Sequence, residues 1–510
     1  MNKLVVDFLD RGYLLSPNIV DRLNELSKPD FLNLFNKKTK TQSRLILDED
    51  LLMFLVEEKN SKIGEVKEFI KSEKSLADDI SKDDAELVES EAAPGVIVLK
   101  EYKKVPKKRD VQDFVEHYRS RYNSLKNILL NRVELVNSIS ISRILNKKER
   151  ENVSLIGLVF DKSYTKNNNL MLTIEDITGS IKVLANKGKE SYNLCKDIVL
   201  DEVIGVKGVV GNKIIFLNSV FFPNTPSNKI IKKSNEDVNV AFISDIHVGS
   251  VNFLRDNFLR FVSWLNGELG DLEQKEFAKK IKYLFIIGDA VDGVGVYPGQ
   301  EEFLDIKDVV EQYNELAKLL DMIRKDVTII ICGGQHDTLR LDEPQPKLDR
   351  TYAGELFRLP NIVSVSNPSL VNIGKNEIFE GFDILMYHGA SFHHYKDNVE
   401  SLRKNDATNN PSFILQYLLQ KRHLAPTHGS VSFIPDAKED FLVIERVPDV
   451  LASGEMHRPD VSNFNNIITI NCSCWQSKTP FEEKIGSNPD PCKVPVLNLK
   501  TREIRIIGFG

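Results

Sequence analysis

The chain of 510 residues is short of cysteine and tryptophan and has no excess of positive charge. Its five cysteines, Cys195, Cys332, Cys472, Cys474 and Cys492, are odd in number and scattered. That excludes a disulfide framework and fits a reducing cytosol. Cys472 and Cys474 are spaced C-x-C without a second pair to complete a zinc site, so buried strand thiols are expected. The net charge of −6 excludes a polycation. Any nucleic-acid contact must therefore come from local basic patches or from a partner. No apolar run approaches the roughly 20 residues that span a bilayer. Met1 to Asp10 carries acidic residues and no small-residue cleavage site, unlike a secretory signal. The expected setting is cytoplasmic, with no membrane partner.

What is present is enough for about three domains. Residues 1–70 read as a small helical interaction module. Ser16-Pro17 supplies a helix start, and Ile19, Leu23 and Leu26 follow on one face. Residues 71–105 read as a flexible linker, acidic through SEKSLADDISKDDAELVESEAA and then basic. The basic run, Lys103, Lys104, Lys107, Lys108 and Arg109, reads as a solvated face. Residues 106–137 form a helix packed on the next domain, with Val111, Phe114, Val115, Tyr118, Tyr122, Leu125 and Leu129 as its apolar stripe. Residues 138–225 change to short β-type runs (VSLIGLVF, LMLTIED, GSIKVLA, EVIGVKGVV, KIIFLNSVFF) separated by turn residues, as in a five-stranded barrel of the OB type. Such barrels stack nucleic-acid bases on aromatics. The notable ones here are Phe160, Phe216, Phe221 and Phe222, so a protein-docking barrel is an equal reading. In residues 236–510 the runs VNVAFIS, IKYLFII, VTIIIC and DILMY are apolar throughout and alternate with helical stretches, which indicates a layered α/β domain.

Polar residues follow each of these buried strands. They are Asp245-Ile246-His247, then Gly288-Asp289, then Gly334-Gln335-His336, then His388-Gly389, and last Gly454-Glu455-Met456-His457. One aspartate after a strand carries no information. Carboxylates and imidazoles after five successive strands are hard to obtain from packing alone, and strand C-termini are where an α/β sheet opens a crevice. Phosphodiester hydrolysis requires charge neutralisation at the phosphoryl oxygens and a strong oxygen nucleophile at neutral pH. Two divalent ions roughly 3.5–4 Å apart supply both. Mixed imidazole, carboxylate and carboxamide donors suit manganese first, with magnesium, iron or zinc as alternatives.

D-x-H, GD-x-x-D, a Gln-His-Asp in place of Asn-His-Asp, H, and G-x-x-H together resemble the signature of calcineurin-like phosphoesterases. More closely, DIHVGS at 245–250, GDAVDGVGVYPGQ at 288–300, HDTLRLDEPQP at 336–346, YHGAS at 387–391 and KRHLAPTHGS at 421–430 resemble the small subunit of archaeal family D DNA polymerase. The resemblance covers roughly residues 96–510. It implies an α/β/β/α phosphoesterase domain acting as a metal-dependent 3′–5′ exonuclease that proofreads. It also implies a large catalytic polymerase subunit as partner, DNA 3′ ends as substrate, and a sliding clamp as an open further partner. By position, Asp245, His247, Asp289, His388 and His457 match metal ligands, with Asp289 as the bridge, and His336 matches the general acid. Two positions depart from the pattern. Gln335 stands where the motif has asparagine, and Glu455 where it has histidine. Both can offer an oxygen to a cation, but Gln335 is one methylene longer and Glu455 exchanges a neutral ring for an anion. The alternative is therefore a scaffold subunit with a degenerate site; an unrelated small-molecule phosphodiesterase is the third reading. His393 and His394 read as solvent-facing. His423 and His428, in a basic loop, read as either phosphate contacts or structural groups.

Overall fold

The computed structural model describes residues 95–104, 107–436, 438–484 and 486–510, and a two-residue parallel pairing of Leu14–Leu15 with Ile46–Leu47. The helical module expected at 1–70 and the acidic stretch after it otherwise lie outside the described residues. By its contacts the chain divides into Met1–Glu91 and Ala92–Gly510.

The second unit opens with strand β1 (Val96–Glu101) and helix α1 (Val111–Leu130). A closed barrel follows, made of β2 (Asn152–Tyr164), β3 (Leu170–Asp176), β4 (Gly179–Ala185), β5 (Val203–Val210) and β6 (Ile214–Phe221) in the order β2-β3-β4-β6-β5. Alternation drives it. Leu170, Leu172 and Ile174 of β3 and Ile181 and Val183 of β4 point inward and are almost wholly buried. Of the aromatics, Phe160 and Phe216 are exposed on the outside, whereas Phe222 is buried.

Beyond the barrel lie two six-stranded sheets. The first contains β7 (Asn239–Ile243), β8 (Ile281–Ile287), β9 (Thr328–Cys332) and β10 (Ile362–Ser364), all parallel, and near the C-terminus β16 (Lys493–Asn498) and β17 (Ile504–Gly508), in the order β10-β9-β8-β7-β16-β17. The second contains β11 (Ser369–Ile373), β12 (Phe382–Met386), β13 (Val450–Ser453), β14 (Asp460–Phe464) and β15 (Ile467–Asn471), in the order β14-β15-β13-β12-β11-β1. Period two explains why both faces of each strand are apolar. Val240 and Phe242 of β7 share a core with Ile384 and Met386 of β12 between the sheets. Ala241 and Ile243 turn the other way, onto Phe258 and Phe261 of helix α2 (Arg255–Leu265) and Leu316 of α3 (Val309–Asp321). On the far side, Leu385 and Leu451 meet Phe392 and Tyr395 of α4 (Phe392–Asn398) and Leu415 and Leu418 of α5 (Ser412–Lys421). The layers are helix, sheet, sheet, helix.

Two expectations need correcting. Val96–Glu101, inside the stretch expected to be linker, is an edge strand antiparallel to β11, with Val96 buried in the inter-sheet core. Its V-I-V-L run is β-branched and apolar, and β11 would otherwise expose an unpaired edge. The apolar stripe of α1 holds only in its second half, where Tyr122, Leu125 and Leu129 pack on Ile156, Leu158 and Val203 of the barrel. In the first half Val111, Phe114 and Val115 are exposed, and the helix buries Asp113, His117 and Arg121 instead.

The charged face of α1 has a partner. Arg121 Nε donates to Asp440 Oδ2 at 2.6 Å, and His423 Nε2 lies 2.8 Å from the same oxygen. His423 is therefore a structural group. Burial, with the cation of Arg121 nearby, pushes its pKa down to about 4 despite Asp440. His428 lies 3.2 Å from the Tyr118 hydroxyl. All five cysteines are buried and free.

Candidate metal centre

Five strand ends converge. Asp245 and His247 follow β7, Asp289 follows β8, Gln335 and His336 follow β9, His388 follows β12, and Glu455 and His457 follow β13. The loops are tied to each other: Asp245 N donates to Gly288 O at 3.0 Å, and His247 N to Asp289 O at 3.1 Å. Asp245, His247, Asp289, Glu455 and His457 all have left-handed backbone, with φ of 49°, 54°, 48°, 68° and 53°. Side chains other than glycine adopt this region at a cost of about 1–3 kcal/mol each, and such strain concentrates at functional sites. Here it lets a strand end turn sharply and aim its side chain at one point.

The imidazoles are oriented from behind. Nδ1 of His247 is 3.0 Å from Asp292 Oδ1, that of His388 2.8 Å from the Ile287 carbonyl, and that of His457 2.7 Å from Glu482 Oε1. His336 Nδ1 is 2.8 Å from the Asp292 carbonyl. A ring whose Nδ1–H is held this way presents Nε2 forward, as metal-ligating histidines do. Forward, His388 Nε2 lies 3.1 Å from Asp289 Oδ2 and 3.3 Å from Glu455 Oε2, and His457 Nε2 lies 3.3 Å from Asp245 Oδ1. Donor atoms of Asp245, His247 and His457 fall within 4.8 Å of one another, as do those of Asp245, Asp289 and His388, and those of His247, Asp292 and His336.

Four buried atoms in this cluster accept or donate no hydrogen bond of good geometry: Asp245 Oδ1, His247 Nε2, Gln335 Oε1 and His388 Nε2. Leaving such atoms unsatisfied costs about 1–3 kcal/mol each. Four of them facing one centre, from three chain segments, is the pattern left by residues that fit a pair of divalent cations.

The electrostatics agree. Burial would raise the Asp289 carboxyl, but the facing imidazoles of His388, His336 and His247 hold it far below the usual range. Burial would neutralise His388, yet Asp289, Glu455 and Asp245 keep its proton affinity well above that of a free imidazole. The same contest raises His336, through Asp289 and Asp292. The carboxylates thus crowd positive charge into a buried space, which is where cations belong.

An open cavity of about 590 Å³ is lined by His247, Asp289, Gln335, His336, Glu455 and His457, with Tyr297 and Phe303 at its side. The two departing residues, Gln335 and Glu455, therefore face the same space as the remaining set, while Asp245 and His388 are fully buried beside it. Three residues of this cluster were given no site role by the sequence. Asp292 is the last residue of GD-x-x-D, a signal that was available. Glu482, on helix α6 (Pro480–Lys484), has no sequence link to His457. His393, expected to face solvent, has a side chain that is 43% exposed and also places Nε2 3.1 Å from Glu455 Oε1. His394 is not among the residues that line the cavity.

Residues 238–459 match the family model of calcineurin-like phosphoesterases. The chain is 40% identical over 390 residues to the DNA polymerase II small subunit of Methanothermobacter thermautotrophicus, a match covering 76% of this chain and 78% of that one. It is 37% identical over 403 residues to the DNA polymerase II small subunit of Pyrococcus furiosus, covering 78% of this chain and 64% of that one. With the protein of the same name from Halobacterium salinarum the identity is 34% over 404 residues, covering 79% and 75%. The matched segment thus spans less than two thirds of the Pyrococcus relative.

Proposed function

Because the chain belongs to the family of DNA polymerase II small subunits, we propose that its phosphoesterase site removes nucleotides from DNA 3′ ends, as the proofreading nuclease of a two-subunit polymerase. The observation that carries this reading is the ring of unsatisfied buried donors around Asp289, on one wall of an open cavity. Asp245, His247, Asp289 and His457 would hold one divalent ion, and Asp289, Gln335, His388 and Glu455 a second, with Asp289 shared. Bound there, such ions, manganese first and magnesium, iron or zinc as alternatives, would neutralise the phosphoryl oxygens and acidify a water.

The remaining work falls to the chain. His336 has Nδ1 fixed on the Asp292 carbonyl, and the facing Asp289 and Asp292 carboxylates raise its proton affinity against the effect of burial, which favours a proton on Nε2 for delivery to the departing 3′ oxygen. Tyr297 lines the same cavity, its ring centroid 6.3 Å from that of His336. It offers a stacking face to the terminal base, a contact that is tolerant of sequence, as proofreading requires. The barrel has the strand order of an OB fold. With the phosphoesterase domain it forms the docking body for the large catalytic subunit.

The test is polarity. A primer–template with a mismatched 3′ end, labelled at the 5′ end, should shorten stepwise from the 3′ end when given the full chain and manganese. Intact primer from folded, metal-loaded protein, or release from the 5′ end, would overturn the reading. One observation favours the scaffold alternative: the Glu455 carboxylate stands where the motif has an imidazole. Restoring the motif with Gln335→Asn and Glu455→His separates the two. A gain of about 10²-fold or more in nuclease rate would show a degenerate site, since errors of about 1 Å cost that much.

A further inference from the structure

Glu455 lies between two imidazoles, one facing each oxygen. Oε2 faces His388 Nε2 at 3.3 Å, and Oε1 faces His393 Nε2 at 3.1 Å. The two histidines are five residues apart around the turn that begins α4. That turn is anchored: Phe392 is buried with its ring 5.7 Å from Tyr387, and Ser391 Oγ donates to the Leu424 carbonyl at 2.7 Å. The backbone of His393 is therefore fixed, while its side chain is 43% exposed and lines the cavity.

We propose that His393 is a positioning residue for the metal centre: its Nε2–H holds Glu455 Oε1, so that Oε2 faces the space shared with His388 and Asp289. The inference rests on the two-ion reading above and deepens it. A glutamate has one more rotatable bond than the histidine of the motif, and its carboxylate swings unless something fixes it. Ligating carboxylates are held by such outer hydrogen bonds, and losing one lowers metal affinity by about 10–100-fold. His388 cannot serve, because its Nε2 is itself a forward-facing donor. His393 is what makes a glutamate workable at this position.

The test is manganese titration of the full chain, free ion being followed by electron paramagnetic resonance, for the unmodified protein, His393→Ala and His393→Gln. The unmodified chain should take up two ions. His393→Ala should weaken one of them by about 10–100-fold and leave the other. His393→Gln keeps an N–H donor and should recover most of the loss. Melting in chelator should be the same for all three, since the ring packs on no core. Wild-type affinities in His393→Ala, no recovery in His393→Gln, or a lower melting temperature in chelator would each overturn the inference while leaving the two-ion reading intact. Fewer than two ions on the unmodified chain would overturn both.

Discussion

Gly334 shows how little room the site leaves. A β-carbon there would collide with Asp289 Oδ1 and lie 2.7 Å from His388 Cδ2. Gly334→Ala should therefore displace Asp289, weaken metal uptake and lower nuclease rate by about 10²-fold or more. Unchanged metal binding would contradict the packing described. Glu343, buried behind the site, behaves differently. It accepts from the Tyr387 hydroxyl at 3.1 Å, but its other oxygen has no partner, and burial pushes its pKa up to about 8 from 4.5. Between those values the folded state keeps a proton that the unfolded state has released. This group's contribution to stability therefore falls as pH rises through the window, by about 1.4 kcal/mol per pH unit. Glu343→Gln removes that slope, so denaturant unfolding should find the variant gaining on the parent from about pH 5 to about pH 8. Parallel pH profiles would refute it. At this scale the candidate ligand positions were legible because each follows a strand in a recognisable motif. Glu482 and His393 were not, because a polar contact from a distant loop leaves no trace in local spacing.

At the scale of elements, α1 departs furthest from its sequence pattern. Its apolar stripe is real, yet half of it faces solvent, because Arg121 finds Asp440 from a loop more than 300 residues away. Periodicity reports which residues could pack, not which partner the fold brings. The pair is fully buried, and Arg121 also donates to the Pro426 carbonyl at 2.5 Å. Asp440→Ala should destabilise the unit by about 3–5 kcal/mol, measured by urea unfolding, since it strands a buried cation. A loss below about 1 kcal/mol would mean that the pair behaves like a surface ion pair. The barrel was legible for the opposite reason: its strands are adjacent in sequence, and turns separate them cleanly. Strand β1 was not, because it pairs with β11 across more than 250 residues.

At the scale of the whole molecule, two sheets contribute to one site, β7, β8 and β9 from the first and β12 and β13 from the second. The strands were readable from their apolar runs. Their division between two sheets came with the family resemblance, because no local pattern says which strands are neighbours. Cations that bind this junction bind only the folded state. Manganese at about 100 times its dissociation constant should stabilise the protein by about 2.7 kcal/mol, and chelator should reverse the gain. No shift in the melting temperature would count against occupancy. The central claim is that hydrolysis at DNA 3′ ends runs through Asp289. It is tested most directly by comparing the parent chain and Asp289→Asn on a mismatched primer end with manganese. Removal of terminal nucleotides by the parent, and a loss on the order of 10³-fold or more in a variant that still folds, is the predicted result. A folded parent that leaves the primer intact, or an Asp289→Asn variant that trims it at the parent's rate, would contradict the account.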